Sequence, residues 1–169
     1  MRTRLLLILW ITLPFIFFSI YAGSRLVKAL DYQQQCDELH ERVHALYMVK
    51  HSDRHKGIAI LIGLVKSDPI CENYQMLGDA YALSSEWALA SIAFKKATTA
   101  PFSSLLGPSG SRAISYYMLG KSLFHLHRYI EAKNMLAYSL QLVRIKNCVE
   151  REHIETTVPL LLKQISEAK

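Results

Sequence analysis

Two helices that cross closely need a small residue at the crossing, and seven residues in the middle of this chain supply that arrangement. Tyr74, Leu77, Gly78, Tyr81, Ala90, Phe94 and Ala97 fall at offsets 0, 3, 4, 7, 16, 20 and 23. Residues three, four and seven apart stack on one face of a helix. Tyr74, Leu77 and Tyr81 therefore share a face, with Gly78 set within it to admit a close neighbour. Ala90, Phe94 and Ala97 share a face on a second helix. The spacing predicts two antiparallel helices packed through alternating large and small side chains.

The pattern recurs. Tyr116, Leu119, Gly120, Ala132 and Leu136 repeat the Tyr, Leu, Gly, Ala and Phe positions, with Leu123 in place of the second Tyr and Ser139 in place of the last Ala. This stretch resembles the tetratricopeptide repeat, a 34-residue helix–turn–helix unit. Gly120 lies 42 residues after Gly78, and the excess fits in the Pro/Gly/Ser-rich loop Pro101–Gly110, which no helix would span. Upstream, Gly57, Leu61, Leu64 and Pro69 suit the second helix of another repeat, but its first helix reads poorly, with Glu41 and His44 where bulky apolar residues are expected. The resemblance covers 71–144 well and 39–70 loosely.

Leu5 to Ser24 is a run of twenty residues without a charge, flanked by Arg2, Arg4, Arg25 and Lys28. At about 1.5 Å per residue it matches a hydrocarbon core of about 30 Å. Trp10 and Tyr21 lie towards its ends, where aromatic rings favour the interface, and Pro14 is tolerable mid-span. A cleaved signal peptide ending at Ala22-Gly23-Ser24 is the competing reading. Retention as a single-pass anchor is expected because the run is long and the chain starts at Met1. Two arginines in the short N-terminal tail favour that tail inside and the remainder outside, which in a bacterial inner membrane is the periplasm.

After the anchor the chain holds eighteen basic and fourteen acidic residues, and Lys95-Lys96 is the only adjacent basic pair. Such charges read as a solvated face. Nucleic-acid binding wants a basic stripe with stacking aromatics and is not expected. Cys36, Cys71 and Cys148 are widely spaced, without a CxxC, so a zinc ribbon or thioredoxin-like site is not expected. Buried thiols are the simpler reading, with one disulfide left open.

Along the chain, Ser52-Asp53 is placed to cap a helix over 53–66. Helices over 70–84 and 87–100, then 111–126 and 128–145, form the two clear repeats. A last helical segment, bent or restarted near Pro159, offers Leu160, Leu161, Leu162 and Ile165 to cover the open end of the stack. The fold class is thus all-α: a transmembrane helix (1–28), a stalk and first helix (29–50), and an α-solenoid of two to three tetratricopeptide-like hairpins with a C-terminal capping helix (51–169).

His40-Glu41-Arg42-Val43-His44 matches HExxH literally and resembles the zinc metalloprotease motif, in which two histidines bind zinc and Glu41 is the general base. The metzincin extension is absent, since Tyr47 and Lys50 stand where Gly and His belong, and no suitable glutamate follows. An ordinary solvated helix face is the expectation, with no metal, cofactor or catalysis.

In tetratricopeptide proteins the first helices line a concave groove. The resemblance maps its exposed positions to Gln75, Asp79, Ala82 and Leu83, and to Tyr117, Lys121, Phe124 and His125. It implies binding of an extended peptide or partner helix, with Tyr117 and Phe124 as aromatic anchors. The alternative for these two rings is core beneath the C-terminal helix. Gln75 and Asp79 depart from the Lys and Asn of the family's carboxylate clamp, which argues against tail-carboxylate recognition. The resemblance implies a non-enzymatic, membrane-anchored scaffold or accessory subunit of a bacterial envelope assembly or secretion complex. A free adaptor for transient clients and a zinc peptidase are the alternatives.

Overall fold

A computed structural model describes residues 2–102, 111–145 and 151–167, with side chains given from Tyr21 onward except at Ala22, Asp31, Gln35, Glu38, Ser111 and Ile145. Seven helices are present among the described residues: α1 (Arg2–His51), α2 (Arg54–Ser67), α3 (Cys71–Leu83), α4 (Trp87–Ala97), α5 (Ser111–His125), α6 (Tyr129–Ile145) and α7 (Arg151–Glu167). The chain divides into two compact units, 1–40 and 41–169, a boundary that falls within α1.

In the first unit every described residue is helical, and Leu26, Val27, Leu30 and Tyr32 are exposed. Arg25 lies over the Tyr21 ring and bonds its hydroxyl. Among the described residues no helix is long and apolar enough to cross a membrane. This corrects the expected anchor over 5–24, and with it the single-pass, periplasmic localisation. Onward from Tyr21, α1 carries Arg25, Lys28, Asp37, Glu41, Arg42 and Lys50, a charge density that no span admits. The side chains of residues 5–20 themselves lie outside the described residues.

The second unit is a succession of hairpins. Asp53 caps α2, its Oδ1 accepting from the Lys56 amide at 3.0 Å, as the free first-turn N–H groups require. Asp68 and Pro69 end it, and Asn73 Nδ2 donates to the Asp68 carbonyl at 2.7 Å. A β-carbon added at Gly78 would sit 2.6 Å from Cε1 of Phe94, which is fully buried. One added at Gly120 would sit 2.7 Å from Cγ of the equally buried Leu136. The expected packing positions Leu77, Ala90, Ala97, Leu119 and Ala132 are buried, and Tyr74, Tyr81 and Tyr116 are partly so. Lys96 lies over the Tyr74 ring, and one repeat on Tyr138 meets Tyr116 edge-on at 4.6 Å.

The third crossing is one that the sequence shows on its second helix, at Gly57, but not on its first. Ala45 and Met48 of α1 are buried, and the place of Gly57 on α2 is so tight that a β-carbon there would lie 2.5 Å from the Ala45 carbonyl oxygen. Gly78 and Ala90, Gly120 and Ala132, and Ala45 and Gly57 are each twelve residues apart. The first hairpin therefore has the same crossing with glycine and alanine exchanged between its helices. Glu41 and His44 are exposed.

The turns repeat as well. The Glu86 amide donates to the Tyr81 carbonyl at 2.8 Å, and that of Arg128 to Leu123 at 2.9 Å. Ser85 and His127 hold the left-handed conformation at φ 60° and 59°. Both are Schellman endings, in which the residue after the helix turns left-handed to satisfy its last carbonyls. The loop Pro101–Gly110 is described only to Phe102.

α7 closes the stack through Ile154, Val158 and Ile165, which are buried with Val143, Leu136 and Tyr117 in one core cluster. Of the residues expected to cover the end, Ile165 does so. Leu161 and Leu162 are partly buried, and Leu160 is 63% exposed. Pro159 lies inside α7, so the helix does not restart there.

Candidate functional site

The mapped groove positions lie on α3 and α5, the first helices of the two clear hairpins. Gln75 and Asp79 are one turn apart, as are Tyr117 and Lys121, so each helix offers one short strip. Two of these residues are used by the fold. The side chain of Gln75 donates to Ser115 Oγ at 2.8 Å, joining α3 to α5. Tyr117, expected as an aromatic anchor, is 5% exposed. It lies edge-on to His153 of α7 at 5.6 Å, and its hydroxyl bonds Thr157, while burial raises the phenol above its ordinary range. An anchor must be open to its partner, and α7 has taken this one into the core.

What remains accessible is a strip at one end of the α3–α5 face. Leu83 is 51% exposed, His125 is exposed, and Ala82, Phe124, Asp79 and Lys121 are partly buried. Burial pushes the Asp79 carboxyl up to about 6, against the pull of Lys121. His125 is held below its usual range, first by burial and then by the positive charge of Lys121 and His127.

Trp87, at the start of α4, stacks on the His125 ring with centroids 3.8 Å apart and planes at 13°. Phe124 meets the same imidazole edge-on at 5.8 Å. The three rings form a small aromatic cluster that joins the start of α4 to the end of α5. No spacing rule pairs Trp87 with His125. The signal is three-dimensional, from the end of one hairpin's first helix to the start of another's second.

Chemistry elsewhere is sparse. His40, Glu41 and His44 of the HExxH stretch are each exposed, and no three metal-ligating side chains gather among the described residues. Cys36 is exposed and Cys71 is buried, both as free thiols, while Cys148 lies outside the described residues. Burial pushes the Cys71 thiol up to about 11, although Ser115 contacts its sulfur at 3.7 Å. No family model matches this chain, and no curated protein matches it.

Proposed function

We propose that the protein is a non-catalytic scaffold of tetratricopeptide-like hairpins that binds a segment of another protein across the α3–α5 face. The observation that carries this reading is the recurrence of one hairpin design, with the same crossing and the same turn, which leaves equivalent strips of two successive first helices side by side. Leu83, Phe124 and the Trp87–His125 stack supply the apolar and aromatic surface on which interface energy concentrates. Asp79 and Lys121 supply one charge of each sign to set register.

The partner is an extended peptide or a helix presenting an apolar side chain to Leu83 and Phe124. The scaffold serves either as a stoichiometric accessory subunit or as an adaptor for transient clients, and the ratio of partner to scaffold after purification separates the two. A Leu83→Asp, Phe124→Ala double variant tests the site. It loses the partner in a pull-down while its circular dichroism stays that of the wild type. A folded double variant that retains its partner places binding elsewhere.

A further inference from the structure

Each later hairpin stacks on the one before it through a single stripe of its first helix. On α3 that stripe is Asn73, Met76 and Ala80, at offsets 0, 3 and 7. Asn73 Nδ2 donates to the Asp68 and Leu64 carbonyls, and Met76 and Ala80 lie in one apolar cluster with Val49 and Leu61 of the first hairpin. On α5 the same register gives Ser115, Met118 and Ser122. Ser115 Oγ accepts from Gln75 and contacts the Cys71 sulfur, Met118 packs on a cluster that includes Ala90 and Phe94, and Ser122 is buried.

On α1 the crossing residue is Ala45, so the same stripe falls at Val43 and Tyr47. Here, among the described residues, no earlier hairpin covers it. Val43 is 54% exposed and Tyr47 60%, its ring 4.8 Å from that of His51. A repeat array needs a cap or a polar face at each end. α7 caps the C-terminal end. The N-terminal end keeps a stacking stripe of one valine and one tyrosine.

The chain itself points to the occupant. With α7 over the far end, copies cannot add head to tail, but two can pair open end to open end. In an antiparallel pair with its two-fold axis level with Ala45, Val43 of each copy faces Tyr47 of the other, small against large, twice. Between residues 42 and 52 the fixed charges are Arg42, which is buried, and Lys50. The two Lys50 would stand about 15 Å apart along the pair, beyond the screening length of about 10 Å at 0.1 M salt. No like charges meet.

We propose that the Val43–Tyr47 stripe of α1 docks the same stripe of a second copy, which makes the protein a closed two-fold dimer. An isologous interface of this kind uses one patch on both subunits. It does not depend on the α3–α5 strip, which each copy keeps.

Sedimentation velocity of the full chain over a concentration series tests this and shows a monomer–dimer equilibrium. Val43→Glu and Tyr47→Lys change exposed positions, so the circular dichroism stays that of the wild type. Each substitution occurs twice in the interface, so a roughly tenfold loss per contact becomes a dimer weakened roughly a hundredfold. Mixing the two variants restores the dimer. The new carboxylate of one chain then faces the new ammonium of the other, and the second Val43–Tyr47 contact is that of the wild type. A wild-type chain that stays monomeric overturns the proposal and leaves the stripe to a hairpin of another protein. Variants that dimerise as the wild type does overturn it by placing the interface elsewhere, and a mixture that stays monomeric overturns the two-fold pairing.

Discussion

Glycines inside helices separate two effects that act in opposite directions. Replacing a helical glycine by alanine gains about 1 kcal/mol of helix propensity when nothing stands in the way. Gly63, on α2, is such a site, since a β-carbon there meets nothing within 4 Å. At Gly78 the same carbon arrives 2.6, 2.7 and 2.8 Å from three ring atoms of Phe94. Favourable carbon contacts lie at about 3.5–4.0 Å, so the ring or the helix must recede by about 1 Å. Phe94 is fully buried and has nowhere to go. Overpacking of this kind costs about 1–3 kcal/mol. Gly63→Ala is thus expected to stabilise the protein, and Gly78→Ala to fall about 1–3 kcal/mol below it. At about 2–4 °C per kcal/mol for a chain of this size, thermal melts resolve the difference. Gly120→Ala repeats the experiment against Leu136. If Gly78→Ala and Gly63→Ala shift the midpoint equally upward, α3 and α4 do not cross at Gly78 and the repeat register is wrong.

Three further outcomes follow from particular residues. The folded protein binds a proton at Asp79 more tightly than the unfolded chain does, so stability falls as pH rises from about 4 to about 6, by at most about 3 kcal/mol. Asp79→Asn flattens that part of a denaturation-versus-pH curve and stabilises the protein at pH 7, and an unchanged curve refutes the assignment. Ser85→Gly relieves a left-handed residue whose strain is about 1–2 kcal/mol, less what glycine's freedom costs in the unfolded chain, so the melting midpoint rises slightly. Tyr117→Ala empties a core position beneath α7 and costs about 3 kcal/mol or more, whereas Phe124→Ala costs far less; equal effects in melts place both rings on the surface.

The two clear hairpins were legible because Gly78 and Gly120 mark their crossings on the first helix, and a glycine inside an apolar helical pattern stands out. The first hairpin was legible only on its second helix, where Gly57 stands, because the small residue on its first helix is Ala45, an ordinary helix former. Asp53 was readable as a cap, since capping is local chemistry. The turns were not, because Ser85 and His127 adopt a backbone conformation that usually announces itself with glycine. The fate of Tyr117 depends on a helix that begins more than thirty residues later. Sequence periodicity gives the face of α5 but not what covers it. The same holds for the Trp87–His125 stack and for the burial that raises Asp79. The uncharged run 5–24 read as a membrane span on its length, its flanking basic residues and its terminal aromatics, and no described helix is long and apolar enough to be one.

Site-specific photo-crosslinking in cells tests the central claim most directly. A photoreactive residue is placed in the full-length protein at position 83 or 124, on the α3–α5 face, and at the open position 63 as a reference. The account predicts one discrete protein adduct, the same from 83 and from 124, absent from 63, and lost from 83 when Phe124→Ala is added. Adducts of equal pattern and yield from all three positions contradict it, because a binding face must distinguish its own residues from the rest of the surface.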